Sequence, residues 1–412
     1  MFTGLDTGSI AYTDPWVLSF EERFRAFSKG ARRIAYFYET PDTSTFRYRV
    51  FNMVEALEAA PETGISASWF SRADLPYLEC FIDRADALIL CRTRLDADID
   101  RMILRARARG IRVLFDVDDL VFDPEYVHLI LDVLGQPIHS QEVWDYWFAY
   151  AGRIGATLRL CDRAIVTNQF LAGKLQEYLP RITPRIVPNF LNRRQQAESE
   201  RIFASKRRSG FARDGRIHVG YFSGTPSHNR DFQIAVNALS AMLEQDPRVV
   251  LRIVGFLKPD DFIKGHRDRI EVYPLQDFLN LQAIVGEVEI NIAPLLDNSF
   301  TNCKSELKYF EAAIAGTLTV SSPSFTIRRA IRGGENGFLA NAHEWDVKLR
   351  EAVRTVLDAP RYIAIAERAF DEVRQTYAWN RYAPQIMSAV FDDSACDSDH
   401  EMREFADVRP SW

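Results

Sequence analysis

The sequence predicts an α/β protein of two domains, each built on a doubly wound parallel sheet. Three observations favour this architecture. The chain has 412 residues, which is enough to form two hydrophobic cores. In each half, apolar runs typical of strands alternate with helical segments of ten or more residues, as βαβ units require. A highly charged stretch, residues 192–214, separates the halves and is interpreted as a surface helix and linker.

Composition and charge narrow the class of protein. Charged residues make up 26% and hydrophobic residues 47% of the chain, as in ordinary globular proteins. The formal net charge of -6 gives no electrostatic reason for binding nucleic acid, so no nucleic-acid partner is expected. No apolar run reaches ~18 residues and no signal-peptide core is visible. We therefore expect a cytoplasmic protein, with peripheral association at the inner face of the membrane left open.

The five cysteines are widely spaced and form no C-x-x-C pair. This spacing predicts neither a disulfide framework nor a cysteine metal site.

The first predicted domain covers residues 31–191 and follows an N-terminal extension, residues 1–30. Its strands are predicted at RIAYFY, ISASWF, ADALILC, GIRVLFDVDD and RAIVTN. Predicted helices run from about Val50 to Ala60, from Asp96 to Arg109, and over FLAGKLQEYL. Three prolines within nine residues then indicate the approach to a hinge: Pro180, Pro184 and Pro188.

The second predicted domain covers residues 215–378. Its strands are predicted at RIHVGYFSG, VVLRIVGF, RIEVYPL, EINIAP and TLTVSS. Residues 379–392 are expected to form a helix that crosses back to the first domain. Residues 393–412 form an acidic tail with the composition of a disordered segment.

The stretch from Asn291 to Ser322 is the one most typical of a ligand site. It is predicted to form a buried strand, a polar loop, a helix that begins at Lys304 and ends at Gly316, and a second buried strand. In a parallel sheet, such a loop and helix N-terminus lie at the carboxyl edge, where ligands of open α/β folds bind. A helix N-terminus also favours anions.

Within this stretch, FEAAIAGTLTVSS resembles the nucleotide-sugar site of GT-B glycosyltransferases, especially those of family four. Glu311 corresponds to the second glutamate of the family's E-x7-E motif, which binds the donor ribose. The first glutamate falls at Cys303, so the motif is broken. Lys304, Ser305 and Lys308 form a K-S-x-L-K-x-x-E pattern instead, as in a subgroup of bacterial polysaccharide and O-antigen transferases.

The resemblance implies a GT-B fold, in which two Rossmann-like domains face a cleft, and a nucleotide-sugar donor bound to the second domain. Lys304 and Arg230 are expected to stabilise the leaving diphosphate, and Asp119 is the third catalytic candidate. The donor-binding candidates lie in the same stretch or in the small-residue loop GYFSGTPSHNRD; they are Glu311, Ser305, Lys308, Asn302, Gly224, Thr225 and His228.

The first domain offers polar loops at two strand ends. Arg47 and Arg49 in TPDTSTFRYR and Asp118 in DVDDLVF are the acceptor-side candidates. The D-x-D pattern is typical of metal binding in a different glycosyltransferase fold, so no metal is expected, and a cleft carboxylate or a helix N-cap is favoured. The family's glycine-rich turn is absent after the first strand, and no histidine lies near the strand end at DVDDLVF, where the family commonly has one.

The leading hypothesis is a glycosyltransferase that transfers a sugar with retention from a UDP-, GDP- or dTDP-sugar to a glycan or lipid-linked acceptor, in bacterial surface polysaccharide assembly, without a bound cofactor. A nucleotide-sugar epimerase, a phosphorylase and a degenerate GT-B scaffold that binds a glycan or protein partner are the alternatives. A dinucleotide-dependent dehydrogenase is disfavoured because no G-x-G-x-x-G follows an early strand.

Overall fold

The computed structural model describes residues 1–5, 8–224, 229–258 and 263–392. Two six-stranded parallel sheets, flanked by helices, confirm the predicted two-domain α/β fold. The first sheet contains β1 Arg32–Phe37, β2 Ile65–Phe70, β3 Ala87–Cys91, β4 Arg112–Val117, β5 Arg163–Val166 and β6 Arg185–Ile186. The second contains β7 Ile217–Ser223, β8 Val249–Gly255, β9 Ile270–Tyr273, β10 Ile290–Ala293, β11 Leu318–Ser321 and β12 Phe338–Leu339.

Helices connect these strands. Those that precede the second sheet are α1 Phe20–Phe27, α2 Asn52–Glu58, α3 Leu78–Ile82, α4 Ala97–Ala108, α5 Val127–Val133, α6 Gln141–Arg159, α7 Gln169–Tyr178 and α8 Arg193–Arg208. The remainder are α9 Asn229–Gln245, α10 Phe278–Glu287, α11 Ser299–Asn302, α12 Leu307–Ala313, α13 Ile327–Ala330, α14 Trp345–Leu357, α15 Ala359–Thr376 and α16 Ala383–Phe391. Among the described residues, no helix is both long and apolar enough to cross a lipid bilayer.

Each sheet has a point at which its strand order reverses. The strand orders are β2-β1-β3-β4-β5-β6 and β12-β11-β10-β7-β8-β9. The reversals therefore fall between β1 and β3 in the first sheet and between β7 and β10 in the second. In open α/β sheets, the crevice at such a point is where ligands bind, because the loops on its two sides diverge.

The two domains share a continuous core. Central strands such as β3 are buried along their whole length, as their apolar sequences predict. Aromatic contacts extend the core across the domain boundary: the ring centroids of Tyr48 and Phe310 lie 6.3 Å apart. Trp16 of the N-terminal extension also bridges the domains, with its ring 5.6 Å from Phe46 and 6.3 Å from Phe278.

Helix α8, which lies in the charged stretch 192–214, is not a surface helix on every side. Ile202 and Phe203 are buried, and the Lys206 ammonium donates a hydrogen bond of 3.0 Å to the carbonyl of Gly316. A Cβ at Gly286 would lie 2.5 Å from Ile202, so this glycine allows α8 and α10 to pack closely. The buried apolar side chains of α8, Ile202 and Phe203, thus pack on the second domain.

The last described helix, α16, lies against the first domain. The rings of Phe190 and Tyr382 stack at 4.4 Å, and Arg112 of β4 donates a hydrogen bond of 2.9 Å to the carbonyl of Val390. The chain thus returns to the first sheet after completing the second.

Arg49, an acceptor-side candidate from the sequence, is instead part of the first domain's core. Its side chain is fully buried, and its Nε and Nη2 donate to the two carboxylate oxygens of Asp116 at 2.7 and 2.9 Å. A third bond, of 2.8 Å, reaches the carbonyl of Val187. Because these contacts occupy the guanidinium away from the cleft, the structure argues against an acceptor-side role and assigns Arg49 to stability.

We expect Arg49→Met to lower the free energy of unfolding by about 3–5 kcal/mol, because it leaves the Asp116 carboxylate buried without its counter-ion. Chemical denaturation measures this loss, and adding Asp116→Leu should recover most of it. Arg33→Met is the matched control, since Arg33 pairs with Asp86 at 3.8 Å near solvent. A loss at Arg49 no larger than that at Arg33 would contradict the structural role.

Candidate active site

A cavity of about 660 Å³ lies between the carboxyl edges of the two sheets. First-domain residues reach it from the segments after β1, β3 and β4, and second-domain residues from those after β7 and β10. It therefore opens at the strand-order reversals of both sheets. The sequence candidates among its lining residues are Arg47, Asp118, Asp119, Gly224, Lys304, Ser305, Lys308 and Glu311.

Glu311 of α12 joins three parts of the chain. Its Oε1 accepts a hydrogen bond from the Tyr48 hydroxyl, one of 2.9 Å from Gln195 Nε2 of α8, and one of 3.3 Å from Arg47 Nη2. Burial and the neighbouring carboxylate raise the pKa of Tyr48 well above its ordinary value, so the hydroxyl keeps its proton and donates. The carboxylate is thus held in one orientation at the cavity wall.

A π-helical turn, Arg47–Phe51, brings the first-domain side chains to Glu311. The sequence predicted a helix from about Val50, whereas in the structure this wide turn begins at Arg47, three residues earlier, and continues into α2. Such turns occur frequently at functional sites. The turn sends Arg47 into the cavity, with its guanidinium 4.2 Å from the centroid of the Tyr48 ring, and Arg49 into the core.

Two cationic groups at the cavity have buried nitrogen atoms with no hydrogen-bond partner among the described residues. They are Lys308 Nζ and Arg47 Nη1. Lys308 instead lies with its ammonium 4.9 Å from the centroid of the Tyr221 ring, and burial lowers its pKa to about 8. Buried polar groups are normally paired, so two unpaired donors beside one cavity indicate a site for an anionic ligand.

Lys304 also lines the cavity, but not at the start of a helix. Helix α12 begins at Leu307 and is seven residues long, and Lys304 lies in the turn that follows α11. Its backbone is held there, because its N–H donates to Thr301 and its carbonyl accepts from the Thr326 hydroxyl. The helix-dipole argument for Lys304 is therefore wrong. Lys304 can act on a ligand through its own charge, without the help of a helix dipole. Its Nζ lies 3.4 Å from Asp119 Oδ1.

Arg92, which the sequence analysis missed, organises the first-domain carboxylates. Its Nη1 lies 3.4 Å from Asp118 and 3.5 Å from Asp119, and Thr45 donates a bond of 2.9 Å to Asp118. Burial, followed by the neighbouring Asp119, raises the pKa of Asp118. Arg92 has a φ of 45°, a left-handed backbone that costs energy in a non-glycine residue and is commonest at functional sites. Its position directly after a buried strand was the available sequence signal.

Cys303, the position at which the family resemblance would place the first glutamate of the motif, is not among the residues that line the cavity. The side chain is fully buried among apolar residues of the first domain's cluster, together with Phe300 of α11. Its carbonyl accepts a hydrogen bond of 2.7 Å from Asn168 Nδ2. A carboxylate at this position would be buried away from the cavity lining, which costs free energy unless it is paired with a cation.

The remaining candidates separate into three groups. Ser305 and Gly224 line the cavity, and the Ser305 hydroxyl accepts a bond of 2.9 Å from Asn189. Asn302 and Arg230 are not among the lining residues: Asn302 bonds to Asp297 and to the backbone of Phe325, and Arg230 is exposed and paired with Asp132 of α5. Thr225 and His228 lie outside the described residues.

An apolar wall completes the second-domain side of the cavity. It is formed by side chains near the ends of β7 and β8 and in the segment from the end of β9 into α10: Phe222, Val254, Leu275, Phe278 and Leu281. This wall is not apparent from the sequence, because its members come from three separate segments whose apolar composition is typical of core. A planar, weakly polar group such as a nucleobase fits this surface.

The comparisons with known proteins agree with this geometry. Residues 216–359 match the family described as "Glycosyl transferases group 1". HepE from Anabaena, solved in complex with UDP, is similar in structure, with a TM-score of 0.56 at 12% identity over 86% of this chain and 98% of HepE. Its complex with UDP-glucose has a TM-score of 0.55 at 13% identity over the same shares of the two chains.

Other solved structures have the same architecture. Sucrose-phosphate synthase from Thermosynechococcus elongatus has a TM-score of 0.52 at 14% identity, over 91% of this chain and 99% of the synthase. WaaG, a glycosyltransferase involved in lipopolysaccharide biosynthesis, has a TM-score of 0.54 at 12% identity, over 87% and 99%. No curated protein matches the chain in sequence. The chain therefore has the two-domain GT-B fold, and the match of its second domain supports a nucleotide-sugar glycosyltransferase.

Proposed function

We propose that the chain transfers a sugar from a nucleoside diphosphate sugar, with UDP as the nucleotide, to a carbohydrate-containing acceptor. The observation that carries the proposal is the pair of cationic nitrogens Lys308 Nζ and Arg47 Nη1, which have no hydrogen-bond partner in the described part of the chain and lie in the wall of the cavity that also holds Glu311. A nucleoside diphosphate offers a group for each feature. Its phosphate oxygens accept from the two cations, its ribose hydroxyls donate to the carboxylate, and its base packs on the apolar wall.

The cations also have a role in the chemistry. When the glycosidic bond to the diphosphate breaks, negative charge grows on the leaving phosphate oxygen. Lys308, Arg47 and Lys304 surround the cavity and are available to stabilise that charge without a metal ion. Asp119, held by Arg92 and Lys304, lies on the opposite domain, where it can accept a hydrogen bond from an acceptor hydroxyl.

Several finer parts of the proposal rest on the family resemblance. These are retention of the anomeric configuration, a glycan or lipid-linked acceptor, and a place in bacterial surface polysaccharide assembly at the cytoplasmic face of a membrane. Two of the similar structures were solved with UDP or UDP-glucose, which supports UDP over GDP or dTDP as the first nucleotide to test. The alternative of a non-catalytic scaffold predicts that no nucleotide binds.

Lys308→Met should weaken UDP binding by about 10–100-fold, because a charge-assisted hydrogen bond contributes ~1.5–3 kcal/mol. Titration calorimetry with UDP measures the loss. Lys348→Met is the matched control, since Lys348 pairs with Glu351 on the outer surface of α14. The melting temperature of the UDP-free variant should be no lower than that of the wild type, because the substitution removes a buried cation. Unchanged UDP affinity in Lys308→Met would contradict the site, and no UDP binding by the wild type would favour the scaffold.

The pH dependence of UDP affinity follows from the lowered pKa of Lys308, about 8. Below this pH the ammonium is already charged and binds phosphate, while above it a proton must be taken up first. We expect affinity to be level between pH 7 and about 8 and then to fall by up to about tenfold per pH unit. The same titration with Lys308→Met should be nearly level across this range. An equal fall in both proteins would exclude Lys308 as its source.

A further inference from the structure

Three aromatic side chains of α6 form a surface that the donor site does not use. Tyr146, Trp147 and Tyr150 are in mutual contact and are called here the aromatic ledge. Their ring centroids are 5.4 Å apart for Tyr146 and Trp147, 5.3 Å for Trp147 and Tyr150, and 6.1 Å for Tyr146 and Tyr150. The two tyrosine rings lie 23° from parallel, and the Trp147 ring stands at 90° to Tyr146 and at 68° to Tyr150, so the ledge presents both ring faces and ring edges.

The aromatic ledge begins inside the cleft and continues out of it. Trp147 and Tyr150 line the same cavity as Asp118 and Asp119, whereas Tyr146 is 55% exposed. This exposure separates the ledge from ordinary core packing, which would cover the ring of Tyr146. The guanidinium of Arg94, whose Nε and Nη2 donate to Glu39, lies 5.7 Å from the Tyr150 ring centroid and adds a polar group at the edge.

Exposed stacked rings beside carboxylates suit a chain of sugar units. A pyranose ring has an apolar C–H face that packs on an aromatic ring, while its hydroxyls bond to carboxylates and guanidinium groups at the ring's edge. The first-domain side of the cavity supplies both the aromatic rings and the polar groups, since Asp118, Asp119 and Arg92 lie at the strand ends beside the ledge.

The charges on α6 disfavour an anionic membrane as the occupant. The first half of the helix carries Glu142 and Asp145, and no lysine or arginine occurs in it before Arg153. Peripheral attachment to anionic lipid depends on clustered basic residues, each contributing about 1 kcal/mol near the surface. The acidic residues would instead repel anionic headgroups.

We propose that the acceptor is an oligosaccharide, whose terminal sugar enters beside Asp118 and Asp119 and whose following units stack on Tyr146, Trp147 and Tyr150. This inference deepens the proposed function and rests on it for the identity of the reaction. It assigns to the aromatic ledge the task of selecting an acceptor longer than one sugar.

The test compares Tyr146→Ala and Trp147→Ala with Phe148→Ala. Phe148 is the matched control, because it is 45% exposed on the same helix but stacks on Trp144 and does not line the cavity. The probes are an array of defined neutral and acidic oligosaccharides, UDP by calorimetry, and vesicles of phosphatidylethanolamine and phosphatidylglycerol. Tyr146→Ala removes an exposed ring and is expected to fold normally.

The wild type and Phe148→Ala should bind at least one class of oligosaccharide, with about tenfold weaker binding in both ledge variants and unchanged UDP affinity. The inference is overturned if the wild type binds no oligosaccharide, or if the ledge variants bind as the control does. Vesicle binding that only the ledge variants lose would assign the surface to a membrane instead. Failure of the wild type to bind UDP would overturn the donor proposal alone, since oligosaccharide binding is measured separately.

Discussion

The structure depends on the environment of one carboxylate. Glu311 is largely buried, and a buried anion is stable only when donors surround it. Those donors come from the first domain, through Arg47 and Tyr48, and from α8, through Gln195. The contacts fix the position of α12 relative to the first domain. The π-helical turn Arg47–Phe51 and helix α8 are the two elements that supply these donors.

In the free protein, cationic groups at the cleft are buried at a cost in stability that a bound anion would offset. Lys308 loses hydration without gaining a hydrogen-bond partner among the described residues, and the lowered pKa of its ammonium records that cost. Arg47 Nη1 is also buried without a hydrogen-bond partner among the described residues. Side chains that are already held in place lose less conformational entropy when a ligand binds. A lower stability of the free protein therefore accompanies a higher affinity for the ligand. The left-handed backbone of Arg92 also lowers the stability of the free protein, and it lies beside the carboxylates of the first domain.

The sequence predicted the fold well because buried parallel strands are continuous apolar runs with recognisable ends. It placed Glu311, Lys304, Lys308, Asp118 and Asp119 correctly at the carboxyl edges, since that follows from strand direction. It could not separate Arg47 from Arg49, because a π-helical turn decides which of them enters the cavity. Nor could it show that Cys303 faces the other domain's core, or that Arg92 joins the two aspartates, since both depend on contacts between distant segments.

The most direct test of the account is the discrimination between UDP and 2′-deoxy-UDP by the wild type and by Glu311→Gln. If Glu311 accepts from the ribose hydroxyls, the wild type should bind UDP about tenfold or more tightly than the deoxy compound. Glu311→Gln should lose most of this preference while retaining the affinity that Lys308 and Arg47 give to the diphosphate. Equal preference in the two proteins, with UDP bound, would show that the ribose lies elsewhere and would contradict the central role of Glu311.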